Sequence, residues 1–316
     1  LYGVPEVGTA CDLFDELEAR CKVQGKTDQV WEESELEEGD GDREEEPGQF
    51  PLLESRLYRE TGKRDLAQKS LTSHPRFSAD DPDLLAPEWQ RKNVLPALRD
   101  LYDEIWVYGL PQIHDPLAGI NVPDSVRRKM TYTGYLRREV SSDGNLSQPA
   151  KIDSPYILVT PGGGGDGEVM VDWVIRAYEV DRQQPYPALI VLGPFMPSET
   201  QAYFIERATV LDDVEVITFD AHMESLMSEA VGVVAMGGYN TFCEIMSFDK
   251  RALIVPRTVP RREQFIRAKR FQELNLVSML STGEQTDISA MITALRHLPQ
   301  QPKPSQVVVP GLMDGL

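Results

Sequence analysis

An α/β fold built on a mostly parallel sheet is predicted for the second half of this chain, from three observations. Six short apolar segments alternate with six helix-length segments across residues 156–298. Two of the apolar segments stop abruptly at glycines, YILVTPGGGGDG at 156–167 and VGVVAMGG at 231–238. Segments such as ALIVL at 188–192 and RALIV at 251–255 are apolar throughout, as in strands covered on both faces by helices.

Residues 1–75 differ from the rest. One amphipathic helical turn or two can form around Leu13, Phe14 and Leu17. Within 31–46, ten residues are acidic and only Arg43 is basic. So few apolar groups cannot offset the entropy of ordering, and roughly 24–75 is expected to be disordered. Residues 76–140 resume a folded pattern. A helix is expected over 87–100, bent at Pro96, with strands at 104–108 and 129–136. The polar, Pro-containing stretch 141–155 reads as a linker.

From residue 156 the strands fall at 156–160, 187–192, 214–219, 231–236, 251–256 and 276–280. Helices are expected at 167–180, 198–210, 222–230, 241–249, 262–275 and 287–297. Right-handed crossovers between them give a Rossmann-like domain over 156–298. The Pro-rich tail 299–316 is expected to be extended.

Composition excludes several classes. A net charge of −19 argues against a nucleic-acid partner, which would need a basic footprint. No apolar run approaches the ~20 residues that cross a bilayer, and no signal-peptide pattern is present. The chain starts at Leu1, as expected of a fragment or a processed product. Cys11, Cys21 and Cys243 form no metal-ligand pattern, and their odd number does not suit a disulfide framework, so a reducing cytoplasm is expected.

At the carboxyl edge of a parallel sheet, both glycine runs would face the ligand crevice. Gly162, Gly163, Gly164 and Gly165 let the backbone approach a diphosphate, with the following helix offering free amides and the positive end of its dipole. The same run satisfies the dinucleotide spacing G-x-G-x-x-G. An NAD site, however, would want an acidic residue after the next strand, where Leu192, Gly193 and Pro194 stand. No Gly-Lys-Ser/Thr is present, which excludes a P-loop. Gly237 and Gly238 end the second run, Asn240 or Thr241 can cap the next helix, and Glu244 can accept both hydroxyls of a ribose. Arg257, Arg262, Glu263 and Gln264 follow another strand and can bond sugar hydroxyls or phosphate. His222 has no assigned role, and no Ser/His/Asp set, Asp-x-Asp motif or metal cluster emerges.

Taken in order, the Gly-rich loop, GGYNTFCE at 237–244 and VPRTVPRREQFIRA at 255–268 resemble the carboxyl-terminal donor-binding domain of family 28-type glycosyltransferases. They are similar to predicted bacterial members carrying GGGGDG and MGGYNT. The resemblance implies the GT-B architecture and a nucleotide-sugar substrate, with a UDP-sugar expected and no cofactor. It also implies site roles: the four glycines on the donor diphosphate, Thr241 near the phosphates, Glu244 on the ribose, Phe219 by the base, and Glu263 and Gln264 on the sugar. Nothing in 1–75 matches the strand and Gly/His loop that opens the family's acceptor domain. The donor half plus a remnant of the acceptor half is therefore expected, with the remainder supplied upstream or by a partner subunit. A hydrolase or epimerase of the same fold, or a non-catalytic donor-binding subunit, are the alternative expectations.

Overall fold

A computed structural model describes residues 82–91, 94–100, 102–140, 155–163, 165–259, 261–281 and 287–315. The expected disorder of 24–75, most of the 141–155 linker, Cys11, Cys21 and Gly164 lie outside those residues. Where a helix was expected over 87–100 there are two, α1 (Pro82–Arg91) and α2 (Val94–Asp100). Pro96 lies in the first turn of α2, where its missing amide costs no helical hydrogen bond.

β1 (Ile105–Tyr108) and β2 (Met130–Gly134) pair in parallel, with α3 (Asp124–Arg127) on the connection between them. Leu85, Trp89, Leu98, Ile105 and Val126 form the core beneath this pair. Lys129 closes the end of α2. Its ammonium donates to the carbonyls of Leu98, Arg99 and Tyr102 at 3.3, 2.6 and 2.5 Å, a favourable place for a cation.

The larger sheet holds β3 (Ile157–Thr160), β4 (Ala188–Val191), β5 (Val214–Ile217), β6 (Gly232–Ala235), β7 (Ala252–Ile254) and β8 (Ser278–Met279). All are parallel, in the order β5-β4-β3-β6-β7-β8. The helices are α4 (Glu168–Val180), α5 (Ser198–Ala208), α6 (Met223–Glu229), α7 (Tyr239–Ser247), α8 (Glu263–Glu273) and α9 (Ile288–His297). Alternate residues of the central strand explain the two layers. Ile157 and Val159 join a core with α4, α5 and α9, whereas Leu158 joins one with α6, α7 and α8. All three are 0% exposed, which is why the segment carries no polar alternation.

The segment after Pro299 is not extended as expected. It makes 3-10 turns at Leu298–Gln300 and Pro304–Gln306, then returns to the small sheet. There Tyr135 donates its amide to the Leu312 carbonyl (2.7 Å) and accepts from Gly315 (3.2 Å), and Arg137 donates to the Met313 carbonyl (3.1 Å). Tyr135, Leu110, Ile113 and Leu312 share a core with α7 and α8. The small sheet is thereby packed against the large one. Among the described residues, no helix is long and apolar enough to cross a membrane.

Candidate functional site

The strand order fixes where a ligand can sit. Counting from β3, the sheet runs 3-2-1-4-5-6, and its order reverses between β3 and β6. Crossover helices leave opposite faces at that point, which opens a crevice above the carboxyl ends of those two strands. Both glycine turns are at this crevice, one after β3 and one after β6.

After β3, Thr160 accepts the Gly162 amide at 3.2 Å, and the Gly163 carbonyl accepts from Phe195 at 3.0 Å. Gly162 has φ +84°, and a Cβ on Gly162 or Gly165 would meet no atom within 4 Å. The outer side of this turn is open. Gly193, after β4, explains how the turn is held: a Cβ there would lie 2.4 Å from the Gly162 carbonyl oxygen. α4 then starts after Gly167, a residue with no side chain that could cap its first turn.

After β6, Gly238 is the N-cap of α7, again with no side-chain cap. The helix begins two residues earlier than expected, so Asn240 and Thr241 lie in its first turn and cap nothing. Asn240 instead accepts from the Arg138 guanidinium at 2.9 Å, while the Arg138 amide donates to Ser247 at 2.8 Å. Gly237 is held from below, with its carbonyl accepting from Arg267 at 3.0 Å. The Arg267 guanidinium lies 5.6 Å from the Phe242 ring centroid.

Glu244 is on the next turn of α7. Burial pushes its carboxyl up to about 7, the Glu224 carboxylate adds to that, and Arg138 pulls the other way. Glu263 opens α8, and burial raises it too, opposed by Arg267, Arg257 and Arg261. Arg257, after β7, is clamped: it pairs with Asp166 and, at 3.4 Å, with Glu263, while its amide donates to Gln264 at 3.3 Å. Arg262 is the N-cap residue of α8 and lies over the Phe265 ring. Arg261 bonds both oxygens of Glu88 on α1 at 3.0–3.1 Å.

Phe219 follows β5, the far edge strand, and is 59% exposed. It stands about 10 Å along the sheet crest from β3, two strand spacings away. His222 donates its amide to the Asp220 carboxylate at 2.6 Å. The structure thus gathers Gly162, Gly163, Gly165, Arg257, Glu263 and Gln264 with one turn, and Gly237, Gly238, Asn240 and Thr241 with the other. Among the described residues, no group of His, Cys, Asp and Glu could hold a metal ion.

Four residues at this crevice were missed from the sequence. Asp166 lies within the Gly-rich motif, where the glycines rather than the aspartate signalled a ligand. Arg267 lies one helical turn after Gln264, a spacing that could have flagged it. Arg138 and His114 approach from the small sheet and gave no local signal. The His114 imidazole is held down to about 4, chiefly by burial and then by the Arg267 charge, with Asp115 opposing. Its loop is docked on α8, where Arg270 donates to the Gln112 carbonyl at 2.6 Å.

Residues 157–307 match the Glycosyltransferase family 28 C-terminal domain. No curated protein matches the chain. Among solved structures, it is similar to the Acinetobacter baumannii MurG, with 15% identity and a TM-score of 0.42, covering 69% of this chain and 71% of that one. It is similar also to a UDP-glucosyltransferase from Polygonum tinctorium, with 15% identity and a TM-score of 0.48, covering 74% and 54%. The calicheamicin glycosyltransferase CalG4 shows 15% identity and a TM-score of 0.44, covering 69% and 50%. The chain spans 34–54% of the length of the first three glycosyltransferase structures it matches. The family match concerns residues 157–307. The likenesses, all with TM-scores under 0.5, add nothing to it.

Proposed function

We propose that the domain over 157–307, a glycosyltransferase family 28 C-terminal domain, binds a nucleotide-sugar and serves transfer of its hexosyl or N-acetylhexosaminyl group to an acceptor hydroxyl. The donor of choice is a UDP-sugar. The observation that carries this reading is the pair of glycine turns at one switch point, each leading into a helix with no side-chain cap. Two helix starts without a side-chain cap, both at the switch point, suit a diphosphate flanked by a ribose on one side and a sugar on the other.

In this reading the first-turn amides of α4, with Gly162, Gly163 and Gly165, take the diphosphate. Glu244 accepts the ribose hydroxyls, Thr241 and Asn240 border the phosphates, and Gln264 with Glu263 faces the sugar. When the anomeric bond breaks, negative charge grows on the departing diphosphate. Amides already pointing there stabilise it without reorganising. The acceptor hydroxyl attacks the anomeric carbon and yields its proton to a base that none of these residues supplies.

Calorimetry with UDP, UDP-glucose, UDP-N-acetylglucosamine and NAD tests the reading. Binding of UDP and at least one UDP-sugar without NAD supports it, and a chain that binds none of the uridine nucleotides refutes it. Product analysis with donor alone separates transfer from hydrolysis, because a transferase releases little UDP until acceptor is added.

A further inference from the structure

Arg257 is a cation already occupied. It follows β7, while its partner Asp166 belongs to the loop after β3, and β6 lies between those strands. The pair therefore links the loops after two strands that stand two spacings, about 10 Å, apart, on either side of β6. A phosphate held at the loop after β3 would lie beside this pair.

The two carboxylates on Arg257 differ. Glu263 is 6% exposed and fixed in the first turn of α8, whereas the Asp166 side chain is 41% exposed. Asp166 follows Gly165, where an added Cβ would meet no atom within 4 Å, and on its exposed side chain a carboxylate can exchange for another anion. It also immediately precedes the N-cap of α4. An aspartate there and a phosphate compete for the same guanidinium. Arg257 is 15% exposed, its amide is anchored on Gln264, and its Nε is buried without a hydrogen-bond partner. The cation stays in place while its outer anion exchanges.

We infer that Asp166 is a specificity-determining residue of the donor site, its carboxylate holding the place on Arg257 that the ligand's phosphate takes. The inference rests on the donor-site reading above. Ligands that carry a diphosphate displace the carboxylate and recover its ion pair, whereas an uncharged nucleoside cannot. With Asp166 in place, Arg257 faces two carboxylates and the entrance repels anions. With Asp166 displaced, the phosphate restores the same charge balance. Asp166 therefore weakens every phosphorylated ligand while leaving its uncharged counterpart alone.

The experiment is calorimetry on the full chain and on its D166N and D166S variants, with UDP, uridine and inorganic pyrophosphate at low salt. Removing the competing carboxylate should tighten UDP and pyrophosphate on the order of ten-fold and leave uridine unchanged. Raising the salt should narrow the gap between wild type and variants. UDP affinity unchanged or weakened in both variants overturns the inference while leaving the donor site standing. Wild-type protein that binds no uridine nucleotide sinks the donor-site reading itself. Thermal melts accompany the titrations, and loss of folding in both variants also overturns the inference, because an exchangeable carboxylate cannot be one the fold requires.

Discussion

The turns after β3 and after β6 stand side by side at the middle of one sheet, yet their glycines do different jobs. At the first turn the space outside Gly162 and Gly165 is empty, and shape is imposed from the neighbouring turn, where Gly193 lets the Gly162 carbonyl come close. At the second, Gly237 has φ +82°, and a Cβ on it would lie 2.8 Å from both Ile254 and Phe242. The first turn keeps clear space outside Gly162 and Gly165, whereas at the second Gly237 admits the sheet's own side chains beneath it and only Gly238 is open. Neighbouring glycines of similar runs can thus record access at one position and packing at another.

The strongest way to break that contrast is Gly237→Ala. Left-handed backbone and two close contacts together should destabilise the fold by about 3 kcal/mol, measured by urea unfolding. The second turn also hangs on Arg267, whose charge acts on the half-buried His114. An imidazole held near 4 is neutral in the folded state and ordinary in the unfolded one. The unfolded chain then binds more protons between about pH 6.5 and 4, so stability should fall by about 2 kcal/mol on acidification across that window. His114→Gln should flatten this part of the profile.

Smaller effects sharpen which turn reads which part of a donor. Glu244→Ala should cost about 2 kcal/mol in UDP affinity, as expected for a lost hydrogen bond to a charged group. With its carboxyl near 7, Glu244 is mostly protonated at pH 6, and UDP-glucose should bind up to about ten-fold weaker there than at pH 8. In Glu244→Gln that dependence should vanish. Gln264→Ala should weaken UDP-sugar by about 1 kcal/mol more than UDP, and equal losses would remove it from the sugar. Gly238→Ala, with nothing within 4 Å of the added carbon, should change stability by less than about 0.5 kcal/mol. A fall in UDP affinity without a fall in melting temperature would then mark Gly238 as a ligand contact.

The large sheet was legible because its evidence is local. Runs such as 188–192, short, rich in aliphatic residues and bounded by Pro or Gly, read as strands buried on both faces, and each glycine turn sits at the end of one. Helix starts were legible to within a residue or two, except where capping competes. Asn240 looked like a cap because its amide side chain suits that position, yet Gly238 reaches it first and Asn240 turns to Arg138. Contacts across the fold left no such trace. Arg138 meets Asn240 from 102 residues away and His114 lies beside Arg267, 153 positions on, and nothing in either segment names its partner. Asp166 shows a different limit: its motif was visible, but its partner, Arg257, lies 91 residues on. The return of 307–315 was hidden for a plainer reason, since prolines suggest extension and give no hint of where an extended segment docks.

That return has a structural consequence. The polypeptide leaving β2 and the polypeptide coming back lie against each other at Tyr135, hydrogen-bonded through Leu312 and Gly315. The end of β2 therefore borrows its hydrogen-bond partners from the last described residues: a chain cut before Leu312 would leave the Tyr135 amide and carbonyl and the Arg137 guanidinium without these partners.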